Sequence, residues 1–204
     1  MHTRFEVVTA GEDADYAAKV AANAFDELDR LEQQLSRFIP GSDIARISAL
    51  KAGESVRVGE AAFECLRLAA QVWQETGGAF DATVGALMDF WRDTSEPRAE
   101  ERWAVARARM GMERLELNER DYAVTVKGGP VSLDLGAIGK GYAVDRMATL
   151  LREWGIPSAV VHGGTSSVYA LDPPPGLDGW PLTLANPRQP SECLRRVLLR
   201  HRSL

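Results

Sequence analysis

The run Ser132-Leu133-Asp134-Leu135-Gly136-Ala137-Ile138-Gly139-Lys140-Gly141-Tyr142-Ala143-Val144-Asp145 holds residue types suited to an anion. A short apolar stretch breaks into three glycines and a lysine, and an amphipathic pattern follows at once. That order predicts a strand, a tight turn and a helix N-terminus. Glycines let the backbone approach a ligand closely. N–H groups at a helix start and the positive end of its dipole favour phosphate or carboxylate. The dipole contributes only ~0.3–1 kcal/mol at an exposed site. A diphosphate would therefore need Lys140 or a metal ion as well. The segment is too short for a P-loop and has no Ser or Thr after Lys140, and its glycine spacing is not the dinucleotide fingerprint. A glycine-rich turn with no ligand stays open as the alternative.

Asp134 sits in an otherwise apolar stretch and needs a partner if buried. Lys140 is the candidate partner. Asp145 lies one helical turn from Gly141 and would pair at the surface with Arg146 or Thr149. Asp81 and Thr83 follow Gly77-Gly78 and Phe80. They read either as caps of a helix starting near Val84 or as a carboxylate and backbone edge facing a ligand ring. His162 precedes Gly163-Gly164 at a strand end, and no two of the three histidines stand at a metal-binding spacing. Cys65 falls within a helix and reads as a small core residue. Neither it nor Cys193 has the Cys or His neighbours of a zinc site. No nucleophile elbow, Ser-His-Asp order or glycosidase dyad stands out.

The elements that must position these residues follow from periodicity. Arg4–Thr9 alternates as a strand, and Gly11-Glu12-Asp13 opens a long amphipathic helix through Tyr16, Val20, Ala24, Leu28, Leu31 and Leu35. A loop over Ser36–Asp43 precedes a short helix over Ile44–Ala49, and Val56–Val58 reads as a short strand. A second helix spans Glu60–Glu75 and ends at Gly77-Gly78. Val84–Trp91 reads as a short buried helix and Pro97–Met110 as a charged, exposed one. Leu115–Leu117, Ala123–Val126 and Val131–Leu135 read as strands, with Val126–Pro130 as a hairpin-like turn between the last two. A third strong helix covers Tyr142–Trp154. Ala159–Val161, Ser167–Leu171 and Trp180–Leu184 complete the strands, with a Pro/Gly loop over Asp172–Gly179. One α+β domain over residues 1–204 is the simplest description.

Composition is that of an ordinary globular protein, 45% hydrophobic and 26% charged. A net charge of −5 argues against general nucleic-acid binding. Arg188, Arg195, Arg196 and Arg200 read as solvated residues of a surface helix or strand. No apolar run reaches the ~18 residues of a membrane span. Met1–Phe5 is not a signal peptide, so the chain reads as cytoplasmic, or as periplasmic or membrane-anchored if a leader has been removed.

Several segments together carry a resemblance. They are Leu35-Ser36-Arg37-Phe38 with Ser42-Asp43-Ile44-Ala45-Arg46-Ile47, then Thr76 to Gly85, then Leu133 to Asp145, then Val160-Val161-His162-Gly163-Gly164. In that order and spacing they resemble the FAD:protein FMN transferase (ApbE) family, and the opening Met1-His2-Thr3 is similar to that family's Met-Gly-Thr start. The resemblance implies an ApbE-like α+β fold with mixed or antiparallel sheets packed on amphipathic helices. It implies magnesium-dependent cleavage of FAD, transfer of the FMN half to a threonine of a target flavoprotein, and release of AMP. Met1 and Phe38 would border the flavin nucleotide. Ala79, Phe80 and Asp81 would line the FAD pocket. Gly136, Lys140 and Tyr142 would lie along the cofactor, and the Gly139 carbonyl would be a Mg2+ ligand.

The departures are specific. The family continues with a His-x-x-Asp-Pro type segment and an Asp/Thr metal-binding segment, whereas this chain ends at Leu204 before either. The fold is therefore expected to be C-terminally truncated, with one backbone carbonyl of the metal site present. Thr165-Ser166 follow Gly163-Gly164 where the family usually has an aspartate, Ser48 stands where it usually has an asparagine, and His2 replaces the early glycine. A non-catalytic FAD-binding protein and an FAD pyrophosphatase are the alternatives. Missing strands would leave an open sheet edge, which favours a homo-oligomer.

Overall fold

The computed structural model describes residues 3–93 and 100–204, apart from the Pro190 side chain. In order the elements are β1 (Phe5–Thr9), α1 (Ala14–Leu35), α2 (Asp43–Ser48), β2 (Ser55–Arg57), α3 (Glu60–Glu75), α4 (Gly85–Arg92), α5 (Glu100–Arg107), β3 (Leu115–Asn118), β4 (Ala123–Val126), α6 (Gly139–Glu153), β5 (Ala159–Gly163), β6 (Ser167–Ala170), β7 (Trp180–Asn186), β8 (Gln189–Leu199) and β9 (Arg202–Ser203). The described sheets are antiparallel throughout. The expected α+β class holds. Met1, and the Pro97 end of the expected charged helix, lie outside the described residues.

By its internal contacts the chain divides into two compact units, Met1–Asp29 with Lys140–Leu204, and Arg30–Gly139. In the first, a four-stranded sheet has the order β1-β5-β6-β9. Ala17, Val20 and Ala24 recur at helical spacing along α1. They are buried with Val144, Met147, Ala148 and Leu151 of α6 and with Ala159 and Val161 of β5. Helix α6 stops at Gly155, whose φ of +73° is left-handed, and the Ile156 N–H bonds back to the Leu151 carbonyl at 2.9 Å. The β7–β8 ribbon closes a smaller cluster of Val160, Val168, Ala170, Trp180 and Leu199. Arg188, Arg195, Arg196 and Arg200 are exposed on or beside β8, as solvated residues should be.

The second unit has a three-stranded sheet of order β2-β4-β3. Helix α3 buries Ala62, Phe63, Cys65, Leu66 and Ala69. Phe63 packs its ring 5.3 Å from that of Tyr122. Three expectations are corrected here. Residues 131–135 alternate buried and half-buried as a strand would, yet they form no ladder. The hairpin joins β3 to β4, so Val126–Pro130 leads out of the sheet rather than turning between paired strands. The expected buried helix, α4, buries only Gly85 and Phe90 and leaves Trp91 exposed.

Burial pushes the Cys65 thiol up from 9.0 to about 12. The unfolded chain ionises first, so the stability this thiol contributes is present below pH 9 and is lost as pH rises toward 12. Cys193 is exposed. With a thiol reagent at pH 8, Cys193 should react at once and Cys65 only after denaturant is added. Rapid modification of both in native protein would contradict the packing.

Candidate functional site

The stretch 131–135 is extended because its polar backbone groups find partners other than a ladder. The Leu133 N–H donates to Ser48 Oγ at 3.1 Å, and the Asp134 N–H donates to the Ala82 carbonyl at 2.8 Å. The Ser132 carbonyl accepts from the Gly85 N–H at 2.9 Å, and Val84 and Ser132 form a parallel bridge. Residues 82–85 and 132–134 therefore run side by side. Two motifs separated by about fifty residues of chain are brought into one seam. Ser48 is held within this seam, and its hydroxyl also donates to the Ile44 carbonyl at 2.9 Å.

Gly85 is required by that seam. A Cβ there would stand 2.6 Å from both the Ser132 carbonyl oxygen and Ser132 Oγ. Gly85→Ala should therefore cost about 1–3 kcal/mol, the usual range for overpacking, read as a lower urea midpoint at unchanged slope.

Asp134 is the charged group of the seam, with its side chain 11% exposed. Its partner is Arg37, with Nη1 3.1 Å from Asp134 Oδ2. Lys140, the partner expected from the sequence, is half-buried in the first turn of α6. The Arg37 side chain is 13% exposed. Its Nη1 also donates to the Gly85 carbonyl at 3.2 Å, and its Nη2 pairs with Asp89 of α4. Arg37 belongs to the Leu35-Ser36-Arg37-Phe38 segment. A lone carboxylate in an apolar run was the signal that a buried cation had to exist. Nothing local indicated which one.

The other carboxylate oxygen, Asp134 Oδ1, accepts the Gly136 N–H at 2.8 Å. The Leu135 carbonyl accepts both Ile138 N–H at 3.0 Å and Gly139 N–H at 2.7 Å. Three N–H groups of the expected anion-binding turn are thus satisfied within the turn. The glycines differ in their reason for being glycine. A Cβ on Gly136 would meet Asp134 Oδ1 at 2.8 Å, whereas one on Gly141 would meet nothing within 4 Å. Gly136 is fixed by the protein, and Gly141 leaves open space.

Asp81 does not cap α4, as the capping reading expected; it closes a local turn ahead of the helix. Its Oδ1 accepts both the Thr83 N–H and the Thr83 hydroxyl. Thr83 Oγ1, fully buried, accepts the Gly111 N–H at 2.6 Å. The N-cap of α4 is Val84, with no side-chain cap bond. Thr83→Val keeps the shape but leaves the Gly111 N–H without an acceptor. A loss of about 1–3 kcal/mol is expected in thermal or urea unfolding. Ala79 is exposed and Phe80 half-buried, and the Phe80 N–H donates to Thr76 Oγ1 at 3.1 Å. Phe38 is 68% exposed, with the guanidinium carbons of Arg37 and Arg92 at 5.3 and 5.8 Å from its ring centre. This is a cation–π arrangement on a solvent-facing aromatic.

In α6, Tyr142 is buried and Lys140 half-buried. Asp145 is exposed as a residue, but its carboxyl end is partly desolvated, which pushes its pKa up. The expected Asp145–Arg146 pair is replaced, because Arg146 faces Glu27 at 3.7 Å. His162 lies in β5 opposite Glu6 and Val168. Among the described residues no three His, Cys, Asp or Glu side chains gather to hold a metal ion, and no helix is long and apolar enough to cross a membrane.

The order of these motifs along the chain is matched by the sequence model of the ApbE family over residues 1–204. The chain belongs to the ApbE family. Curated relatives of this ApbE chain include an FAD:protein FMN transferase from Klebsiella pneumoniae, 26% identical over 97% of the chain and 58% of the relative. One of the same name from Salmonella typhimurium is 28% identical over 80% of the chain and 49% of the relative. The chain thus spans about half the length of these relatives. Among solved structures, the ApbE protein of Thermotoga maritima superposes with a TM-score of 0.87 at 24% identity, covering 98% of this chain and 65% of that one. The flavin transferase ApbE of Vibrio cholerae gives 0.83 at 21%, covering 98% and 66%. At these identities the structures establish the fold. The ApbE-like architecture expected from the motifs is therefore found.

Proposed function

We propose that the chain acts, as one domain over residues 1–204, in FAD:protein FMN transfer. The observation that carries this reading is the seam itself. Residues 82–85 and 132–134, from the two segments whose motifs are most specific to the family, lie side by side, and the second runs on into the N-terminus of α6. The names of the curated relatives support the same activity.

In the proposed reaction the hydroxyl oxygen of an acceptor threonine on a target flavoprotein attacks the FMN phosphorus of FAD. A P–O bond forms there, the pyrophosphate P–O bond breaks, and AMP leaves with the bonding electron pair. The threonine proton passes to solvent or to a base. Phe38 would border the flavin nucleotide together with Met1. Ala79, Phe80 and Asp81 would line the pocket, and Gly136, Lys140 and Tyr142 would lie along the cofactor. Phosphoryl transfer rests on positioning and charge stabilisation rather than covalent chemistry by the protein. A half-buried lysine at a helix start suits the second role.

Mg2+ dependence belongs to this proposal, with the Gly139 carbonyl as one oxygen ligand. The described side chains do not complete a cation site, so no step is derived through the ion. A hard cation here would need further oxygen donors, such as substrate phosphates. A homo-oligomer, and either a cytoplasmic or an exported location, also belong to the proposal.

The test is incubation of the purified chain with FAD and Mg2+, with and without a threonine-bearing acceptor peptide, measuring AMP and FMN. AMP release that EDTA abolishes is the expected result. FAD binding without AMP would favour a flavin-binding protein, for which the solvent-facing Phe38 gives a surface, and AMP with free FMN would favour a pyrophosphatase. A variant sharpens the test. Gly141→Ala has room for its methyl group and should raise stability by about 0.5–1 kcal/mol through helix propensity. If the FAD backbone passes close by, the same variant should weaken FAD binding measured by flavin fluorescence. Unchanged binding would move the ligand away from this helix start.

A further inference from the structure

We propose that Arg37 is a positioning residue, a strut that fixes the glycine turn 136–139 in the geometry that presents it to FAD. This rests on the flavin reading above. One guanidinium reaches three groups from two segments, the Gly85 carbonyl at 3.2 Å, Asp89 of α4 and Asp134 Oδ2 at 3.1 Å. Asp134 in turn grips the Gly136 N–H through its other oxygen at 2.8 Å. The chain of contacts runs from α4 through Arg37 and Asp134 to the first residue of the turn. It also runs toward Phe38, over whose ring the same guanidinium stands at 5.3 Å.

The direction of control follows from geometry. The Asp134 carboxylate has rotational freedom about its Cα–Cβ and Cβ–Cγ bonds. With Oδ2 held by Arg37, Oδ1 has one place to be, and that place holds the Gly136 N–H. The missing Cβ of Gly136 is part of the same fit, since it would stand 2.8 Å from that oxygen. Arg37 faces two carboxylates and a carbonyl, and its side chain is 13% exposed, so its charge is spent within the protein rather than on FAD. It acts through the turn. A lysine cannot replace it fully, since an ammonium is a point charge that cannot bridge three separated acceptors in one plane.

The test compares wild type, Arg37→Met, Arg37→Lys and Asp134→Asn in the full chain. Amide hydrogen exchange is measured across residues 133–139 and across β4, together with FAD affinity by fluorescence. Arg37→Met should speed exchange in the turn about tenfold or more beyond any change in β4, and lower FAD affinity by about tenfold. Arg37→Lys should fall between it and wild type. Should Arg37→Met fail to fold, Asp134→Asn decides. It keeps an oxygen for the Gly136 N–H but loses the charge that Arg37 holds, and it should loosen the turn in the same way. Exchange that rises equally in the turn and in β4, or a turn that exchanges as in wild type, would overturn the strut. Wild-type protein that fails to bind FAD would overturn the flavin reading, while the exchange comparison would still decide whether Arg37 orders the turn.

Discussion

Arg37→Met is expected to destabilise the protein by about 3–5 kcal/mol, the cost of removing one partner from a buried ion pair. The size follows from burial. Arg37 and Asp134 side chains are 13% and 11% exposed, so the carboxylate left behind cannot be rehydrated without opening the seam. The exposed member of the group, Asp89, is 56% exposed, and its removal should change stability by less than about 1 kcal/mol. Removing both buried charges with Arg37→Met and Asp134→Asn should recover much of the loss, because no uncompensated charge then remains. Urea denaturation of the two singles and the double gives the coupling energy directly. Additive losses would mean that the two side chains do not depend on each other.

Leu151→Ala is expected to cost about 2–5 kcal/mol, the range for a large-to-small change in a packed core. Leu151 has no exposed surface and lies with Val20, Ala24, Met147 and Val161 in the first unit. It sits on α6, the helix that follows the glycine turn, and its carbonyl closes the helix end by accepting the Ile156 N–H at 2.9 Å. The loss should appear as a lower urea midpoint with little change in slope. A cost under about 1 kcal/mol would mean that the site collapses around the smaller side chain.

Much of the fold was legible because helices announce themselves locally. Val20, Ala24, Leu31 and Leu35 recur at helical spacing and are buried. Gly77 and Gly78 end α3 with φ of +60° and +84°, as glycines past a helix end should. Asp81 and Thr83 are capping residue types, yet the Asp81 carboxylate bonds Thr83 ahead of α4, whose N-cap is Val84 with no side-chain bond. The error over residues 131–135 has an equally physical source. Alternation marks which face is buried, but a ladder needs neighbours at the right register, and pattern alone does not supply them. Here the neighbours are the Ser48 hydroxyl, the Ala82 carbonyl and the Gly85 N–H.

What the sequence by itself determined is the local character of this protein: its amphipathic helices, its glycine stops, a charge stranded in an apolar run, and the motif order that places it in the ApbE family. Tertiary structure alone decided which groups meet. Arg37 joins Gly85, Asp89 and Asp134 across 48, 52 and 97 residues of chain. Helical periodicity reports contacts three or four residues apart. Which residues meet across such long separations is set by the packed fold, and here the buried Asp134 carboxylate meets the guanidinium the packing brings to it.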